Sequence, residues 1–172
     1  MGYAGGTLEK PTYHHMGDHT ESIQVDFDPS VTSFEKLLEV VWRAHNPCAS
    51  AYGVQYRSIV FYENESQKAL IVAGKARIEA QLGKPVKTAV EKLAKFWPAE
   101  DYHQKYALRG EETLLREFKA LYPAEPGLLS STVAARLNGY IAGDGTAAQL
   151  ELELPKLGLS EAGQERLRRY VR

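Results

Sequence analysis

The sequence predicts a mixed α/β fold of the α+β kind, arranged as a two-layer sandwich of a mixed sheet and helices. Short runs of β-branched and aromatic residues alternate with amphipathic runs at helical spacing through the first hundred residues. The 172 residues are 44% hydrophobic and 25% charged, which is typical of a soluble chain that buries a core without disulfides. From Gly127 onward the pattern is helical only. We therefore expect a main domain over 1–110 and a helical C-terminal extension over 111–172.

The first predicted elements follow a glycine-rich opening over residues 1–17, which is expected to be a loop. SIQVDF, at Ser22–Phe27, alternates apolar and polar residues and predicts a half-buried strand. Thr32-x-x-Glu35 is a capping box that opens an amphipathic helix. That helix should end near His45, because the proline at position 47 restricts the residue before it.

A second strand and helix are predicted after residue 55. YRSIVFY, at Tyr56–Tyr62, is rich in β-branched and aromatic residues and predicts a strand. Ser66 is expected to cap a helix that runs to about Gln81, with Gly83 in the usual position after a helix end. Val86–Val90 is a candidate third strand.

The remaining segments are less uniform. TAVEKLAKFWP fits a strand and a helix equally well, and Asp101–Tyr106 is expected to be a short helix after Pro98. SSTVAARLNGYIAGDGT predicts a helix that ends at residues 143–145. GLSEAGQERLRRYVR predicts another helix, capped by Ser160.

Charge and composition exclude several classes of function. The 21 basic and 22 acidic residues leave a net charge of -1, so electrostatics offers no case for binding nucleic acid or an anionic membrane. No apolar run is long enough to span a bilayer, and the N-terminus lacks the features of a signal peptide. A cytoplasmic protein is the expectation. The single cysteine, Cys48, excludes an internal disulfide and a zinc site built from several thiolates.

Glu21 is the sharpest candidate for chemistry. It lies between the glycine-rich loop and a predicted strand, beside His19, with Tyr13 upstream and Tyr56 opening the next strand. A carboxyl group among aromatic rings loses part of its hydration, which favours its protonated form and suits a general acid. Tyrosine hydroxyls can hydrogen-bond both such an acid and a substrate oxygen. The alternative is a solvated carboxylate at a strand edge, and the pattern alone favours that alternative.

The other chemistry-bearing residues give weaker indications. The close spacing of His14, His15 and His19 in a loop gives no regular ligand geometry, so a structural or hydrogen-bonding role is favoured and no metal is expected. Cys48 is open to inert, redox-sensing and nucleophilic roles. Only Arg43 and His45 are near enough in sequence to favour its thiolate, so an inert thiol is favoured.

Six motifs occur in a fixed order along residues 2–106. They are GYAGG (Gly2–Gly6), PTY (Pro11–Tyr13), GDHTE (Gly17–Glu21), VDFDP (Val25–Pro29), QYRS (Gln55–Ser58) and AEDYHQKY (Ala99–Tyr106). In this set the chain resembles the A-type peptide methionine sulfoxide reductases, which act on the S epimer of the sulfoxide. The resemblance implies a ferredoxin-like core.

The resemblance also implies a reaction. In that family a cysteine thiolate attacks the sulfoxide sulfur while a glutamate, helped by two tyrosines, protonates the departing oxygen. The cysteine becomes a sulfenic acid, which a second thiol converts to a disulfide that thioredoxin reduces. The acid corresponds to Glu21 and the tyrosines to Tyr13 and Tyr56. The partners implied are proteins or peptides with oxidised methionine, and no cofactor is implied beyond thioredoxin or another dithiol.

Around this acid the resemblance places Gly5, Gly6 and His19 in the wall of the substrate pocket. The family's nucleophile belongs to a Gly-Cys-Phe-Trp segment upstream of GYAGG, and this sequence begins after that segment. The resolving cysteine is also absent where HHM stands, and Ala51 replaces an aspartate of the family. We therefore expect an open sheet edge and exposed apolar surface.

Three hypotheses follow. The chain is a reductase, truncated relative to its family or served by Cys48 as a displaced nucleophile, although a peripheral Cys48 is favoured. Alternatively, it is a non-catalytic relative that binds oxidised methionine through Glu21, Tyr13 and Tyr56. The weakest alternative is an interaction protein whose exposed sheet edge pairs with another chain.

Overall fold

Two structural units divide the chain, Met1–Glu100 and Asp101–Arg172. The computed structural model describes residues 1–123 and 125–171, with the backbone alone at 125 and 126. The first unit combines small sheets with two long helices, and the second is helical. The predicted α+β class is therefore confirmed. The domain division at 110/111 remains a prediction.

Two small sheets form the first unit. Its strands, within the described residues, are β1 (Gly2–Ala4), β2 (Thr20–Ser22), β3 (Ile59–Tyr62), β4 (Ala89–Lys92) and β5 (Phe96–Pro98). β1 is the centre of an antiparallel sheet in the order β2-β1-β5, and Tyr3 lies opposite both Glu21 and Trp97. β3 and β4 form a parallel pair, and the crossover connection between them contains a helix. The start of the glycine-rich opening, Gly2–Ala4, is thus a buried central strand, which corrects the expected loop there, whereas residues 5–17 contain no named helix or strand.

Two helices pack with the parallel pair. α1 (Phe34–Ala44) is capped by Ser33, whose hydroxyl accepts from the Lys36 amide, rather than by Thr32 as expected. It ends at His45 as predicted. α2 (Glu65–Leu82) ends at Gly83, whose backbone is left-handed with φ 61°, also as predicted. Their inward faces form one cluster with the parallel strands, centred on Leu38, Trp42, Ile71 and Val86.

The predicted strand at Ser22–Phe27 is wrong. The strand is Thr20–Ser22, and Ile23 and Val25 are 68% and 55% exposed. The ladder ends where Ser22 pairs with Gly2, and among the described residues no strand pairs with residues 23–27. A strand without a neighbour loses its ladder of hydrogen bonds, whatever its alternation of side chains.

Several boundaries also differ from the sequence-based expectation. The second strand begins at Ile59 rather than Tyr56, and the third covers Ala89–Lys92 rather than Val86–Val90. The ambiguous TAVEKLAKFWP segment provides both β4 and β5. α2 is capped by Asn64 rather than by Ser66 two residues later, because the side-chain Oδ1 of Asn64 accepts from the Gln67 amide.

The second unit contains six helices within the described residues. They are α3 (Tyr106–Arg109), α4 (Glu112–Leu121), α5 (Glu125–Ser130), α6 (Thr132–Ile141), α7 (Ala147–Glu153) and α8 (Glu161–Arg168). α6 and α8 confirm the two predicted helices, and Ser160 caps α8 as predicted. The expected helix at Asp101–Tyr106 is only a 3₁₀ turn over Asp101–His103. Leucines dominate the core of this unit.

A buried carboxylate ties α4 to α8. The Glu111 side chain accepts hydrogen bonds from the Arg166 guanidinium at 2.9 Å and from the Tyr170 hydroxyl. Burial disfavours its ionised form, but these hydrogen bonds outweigh burial and lower the pKa of Glu111. No helix among the described residues has the length and apolar character needed to cross a membrane.

Candidate functional site

Two glycines after β1 allow a close approach of three segments. Gly5 has φ +79°, and a Cβ there would lie 2.7 Å from both Arg57 Nη2 and Phe61 Cζ. A Cβ at Gly6 would lie 2.6 Å from Asp18 Oδ1. Larger residues at positions 5 and 6 would therefore push apart the segments that surround Glu21.

His19 holds this glycine stretch from inside. It is 1% exposed, and its Nδ1 accepts from the Gly6 amide at 3.2 Å while its Nε2 donates to the Leu8 carbonyl at 2.8 Å. These contacts require a neutral ring with the proton on Nε2. Both ring nitrogens are bonded to backbone, so the ring supports the glycine stretch and has no nitrogen left for a ligand.

Asp18 reinforces the same turn. Its Oδ1 accepts from the Thr7 amide at 2.8 Å, and its Oδ2 accepts from the Thr7 hydroxyl at 3.0 Å. The backbone hydrogen bond from Thr7 is the largest cause of the lowered pKa of Asp18. The turn that precedes Glu21 is thus tied to the segment after Gly6.

Glu21 projects from β2 beside an irregular arm, defined here as residues 52–57. Its amide donates to the Gln55 carbonyl at 3.0 Å, and the Gln55 side-chain amide donates to Glu21 Oε1 at 2.6 Å. The Glu21 side chain is half-buried. The carboxyl group is therefore oriented by one neighbour and remains accessible to solvent or a ligand.

Tyr56 lies close to this carboxyl group and hydrogen-bonds with Tyr13. Desolvation, followed by the charges of Tyr13 and Glu21 and a hydrogen bond with Tyr13, raises the pKa of Tyr56. The Tyr56 hydroxyl consequently stays protonated at neutral pH and can donate a hydrogen bond. Its side chain is 58% exposed, so the donor is presented at the surface.

Tyr13 is anchored by a residue that the sequence analysis missed. Glu100 Oε1 accepts from the Tyr13 amide at 3.0 Å, while its Oε2 accepts from the Tyr3 hydroxyl at 2.7 Å. Glu100 thus links the segment bearing Tyr13 to the central strand. Its place in AEDYHQKY, like those of Gln55 and Arg57 in QYRS, was the available sequence signal.

Cys48 lies in a loop that is tied to a different part of the unit. Its amide donates to Asn46 Oδ1, and the preceding Pro47 carbonyl accepts from the Lys87 amide at 2.8 Å. The neighbouring His45 is bonded through both ring nitrogens, to the Val41 carbonyl and the Thr88 hydroxyl. No hydrogen bond between described residues joins Cys48 to Glu21.

The arrangement suits a polar, uncharged acceptor oxygen. Two phenols carry hydroxyl donors, and the Gln55 side-chain amide fixes the orientation of the Glu21 carboxyl group. Among the described residues, no group of three His, Cys, Asp or Glu side chains is placed to hold a metal ion.

Comparison with known proteins gives one consistent family. The family model described as "Peptide methionine sulfoxide reductase" matches residues 1–122. A Drosophila melanogaster peptide methionine sulfoxide reductase is 39% identical over an alignment of 168 residues that covers 93% of this chain and 65% of that protein. Peptide methionine sulfoxide reductase A5 of Oryza sativa is 38% identical over 83% of this chain and 58% of its own length. The chain therefore spans about three fifths of these two relatives.

Solved structures agree with the sequence matches. The crystal structure of reduced Mxr1 from Saccharomyces cerevisiae superposes with a TM-score of 0.60 at 27% identity, covering 64% of this chain and 70% of that one. Methionine sulfoxide reductase A of Corynebacterium diphtheriae gives a TM-score of 0.54 at 25% identity, covering 64% and 62%.

Proposed function

This chain belongs to the peptide methionine sulfoxide reductase family, and we propose that its Glu21, Tyr13 and Tyr56 recognise the oxygen of methionine S-sulfoxide. The function proposed is that of a peptide-methionine (S)-S-oxide reductase acting on oxidised methionine in proteins or peptides. The observation that supports it best is the group formed by the Gln55-oriented carboxyl of Glu21 and the raised-pKa phenol of Tyr56.

The residues supply the oxygen end of the reaction. A sulfoxide oxygen is a strong hydrogen-bond acceptor, and the phenol hydroxyls of Tyr13 and Tyr56 are hydrogen-bond donors. As the sulfur–oxygen bond breaks, negative charge develops on the oxygen, and a proton from Glu21 neutralises it. An attacking thiol takes the oxygen as sulfenic acid, leaving a thioether. A second thiol then forms a disulfide and releases water.

The attacking thiol is proposed to come from elsewhere than Cys48. The loop that holds Cys48 is bonded to Lys87, and His45 is committed to the Val41 and Thr88 oxygens, so neither a base nor a contact brings this thiol to Glu21. Thioredoxin or another dithiol is the proposed reductant, in a reducing compartment such as the cytoplasm, with no bound cofactor.

The same placement of Cys48 supports a second candidate function. A chain that holds the sulfoxide oxygen without a thiol at the sulfur would bind oxidised methionine and not reduce it. Glu21 and the tyrosines would then serve recognition alone.

Turnover with an external thiol tests the proposal. The chain is incubated with a peptide containing the S epimer of methionine sulfoxide and excess dithiothreitol, beside Glu21→Gln and Cys48→Ser. We expect methionine to form faster with the chain than with dithiothreitol alone. Glu21→Gln should reduce this acceleration roughly 100-fold. Cys48→Ser should leave the rate unchanged. Binding of the S epimer without turnover would favour the second candidate. Neither binding nor turnover would overturn both.

A further inference from the structure

We propose that Arg57 is a positioning residue that holds the arm bearing Gln55 and Tyr56 against Glu21. It acts through Glu91 on one side and Thr20 on the other. Its consequence for sulfoxide binding rests on the proposed function above, whereas its consequence for the geometry of the arm does not.

Glu91 fixes the plane of the guanidinium. Arg57 Nη1 donates to Glu91 Oε1 at 2.7 Å, and Nη2 donates to Oε2 at 3.0 Å. Such a two-point contact sets direction as well as distance, because both groups are planar. Glu91 lies on β4, so this contact attaches Arg57 to the parallel pair of strands.

The Nε donor of Arg57 is directed at the other sheet. Arg57 Nε donates to Thr20 Oγ1 at 2.8 Å, and the Thr20 hydroxyl in turn donates to the Val54 carbonyl at 2.9 Å. Thr20 is 1% exposed, so this hydroxyl has no water to replace either partner. Arg57 thereby connects β4 to β2 and, through Thr20, to the arm itself.

These contacts continue directly into the candidate site. Thr20 bonds to Val54, and the next residues of the two segments, Glu21 and Gln55, bond to each other twice. Tyr56 lies between Gln55 and Arg57, so both of its neighbours in sequence are held against β2. The position of its phenol therefore depends on the Arg57 contacts.

Packing of apolar side chains does not hold the arm in place, because the arm is largely exposed. Residues 51–57 form neither helix nor strand, Tyr52 is 98% exposed, and a Cβ at Gly53 would meet nothing within 4 Å. The guanidinium, in contrast, is accommodated closely, because a Cβ at Gly5 would lie 2.7 Å from Nη2. Polar contacts, with Arg57 at their centre, are what hold this segment.

Two variants at Thr20 separate the hydrogen-bond relay from packing. Thr20→Val keeps the shape and removes the hydroxyl, whereas Thr20→Ser keeps the hydroxyl and removes a methyl. If Thr20 relays Arg57 to the arm, Thr20→Val should lower the affinity for an S-sulfoxide peptide roughly tenfold, because two buried partners lose their bonds. Thr20→Ser should stay within about twofold. The reverse order would show that Thr20 only packs, and would overturn the relay.

A matched pair of arginine variants tests the residue itself. Arg168 contacts Glu151 in the second unit with the same two distances, 2.7 and 3.0 Å, and serves as the control. Lysine keeps the charge at either position and cannot reach two partners in a plane. We expect Arg57→Lys to lower sulfoxide affinity roughly tenfold and Arg168→Lys to leave it unchanged. Equal effects would overturn the proposal.

Amide hydrogen exchange tests the geometry without a ligand. The Glu21 amide donates to the Gln55 carbonyl, so its exchange reports whether the arm is in place. Exchange at Glu21 should accelerate at least tenfold in Arg57→Lys and Thr20→Val, and not in Thr20→Ser or Arg168→Lys. Unchanged exchange would overturn the positioning role. Accelerated exchange in a chain that binds no sulfoxide would instead support the positioning role and contradict the proposed function.

Discussion

Glu21 and Gln55 are joined twice, by a 3.0 Å bond from the Glu21 amide to the Gln55 carbonyl and by a 2.6 Å bond from the Gln55 side-chain amide to Glu21 Oε1. The first bond aligns the arm with the edge of β2. The second bond orients the Glu21 carboxyl group, which is the proposed general acid. One residue therefore sets both the place and the direction of Glu21.

The side-chain bond of this pair predicts a specific loss. Gln55→Leu removes the donor to Glu21 and leaves the backbone bond intact, so the affinity for an S-sulfoxide peptide should fall about three- to tenfold. The melting temperature should change little, because the side chain is only half-buried. Gln164→Leu is the control, since Gln164 donates to the Leu159 carbonyl in the second unit. An unchanged affinity in Gln55→Leu would contradict the orienting role.

The pKa of the Tyr56 phenol should lie above its ordinary value. Desolvation is the largest cause of its raised pKa, and Tyr13 and Glu21 add to it, so its ¹³Cζ resonance should shift only above the ordinary value of 10.0. Tyr13→Phe should bring the midpoint back part of the way, because it removes one cause and leaves desolvation. A midpoint at or below the ordinary value in the parent chain would show that the two phenols are not neighbours.

Acid should destabilise the second unit through Glu111. Because the folded pKa of Glu111 lies below its ordinary value of 4.5, its contribution is complete at neutral pH and is lost as the pH falls through the folded pKa. Glu111→Gln should cost about 2 kcal/mol at pH 7 and cost progressively less below pH 4. Urea unfolding at several pH values measures this, and a cost that is constant with pH would contradict the assignment.

Gly74 should tolerate no side chain. A Cβ there would lie 2.8 Å from Trp42 Nε1, a buried atom that has no hydrogen-bond partner among the described residues. Gly74→Ala should therefore destabilise the chain by roughly 1–3 kcal/mol despite the better helix propensity of alanine. Gly139→Ala in α6 is the matched control, because its nearest neighbour is 4.0 Å away. It should stabilise by about 0.5–1 kcal/mol. Equal effects in thermal unfolding would contradict the packing of α1 on α2.

The elements predicted well were those with local signals. α1 and α2 ended where Pro47 and Gly83 indicated, and α8 began at its serine cap, because caps act within one turn. The strand at Ser22–Phe27 failed because a strand also requires a neighbour, which alternation alone does not report.

The candidate site residues that the sequence indicated were those with recognisable chemistry. Glu21, Tyr13 and Tyr56 are such residues, and the structure places Tyr56 close to the other two. Their role as a site remains a prediction. Gln55, Arg57 and Glu100 act through contacts between segments far apart in the chain, which no local pattern encodes. Their positions in the QYRS and AEDYHQKY motifs indicated that these residues matter, but did not indicate which contacts they make.

Tyr13 and Tyr56 are proposed to recognise a sulfoxide oxygen. This recognition is tested most directly by isothermal titration calorimetry, which measures peptide affinity for the parent chain and for a Tyr13→Phe/Tyr56→Phe variant. The two matched peptides contain methionine S-sulfoxide and methionine, respectively. We predict that the parent prefers the oxidised peptide by at least about tenfold and that the double variant loses this preference, because the two hydroxyls bond to a sulfoxide oxygen and a thioether sulfur is only a weak acceptor. Equal affinity of the parent for both peptides, or a preference that survives in the double variant, would contradict the account.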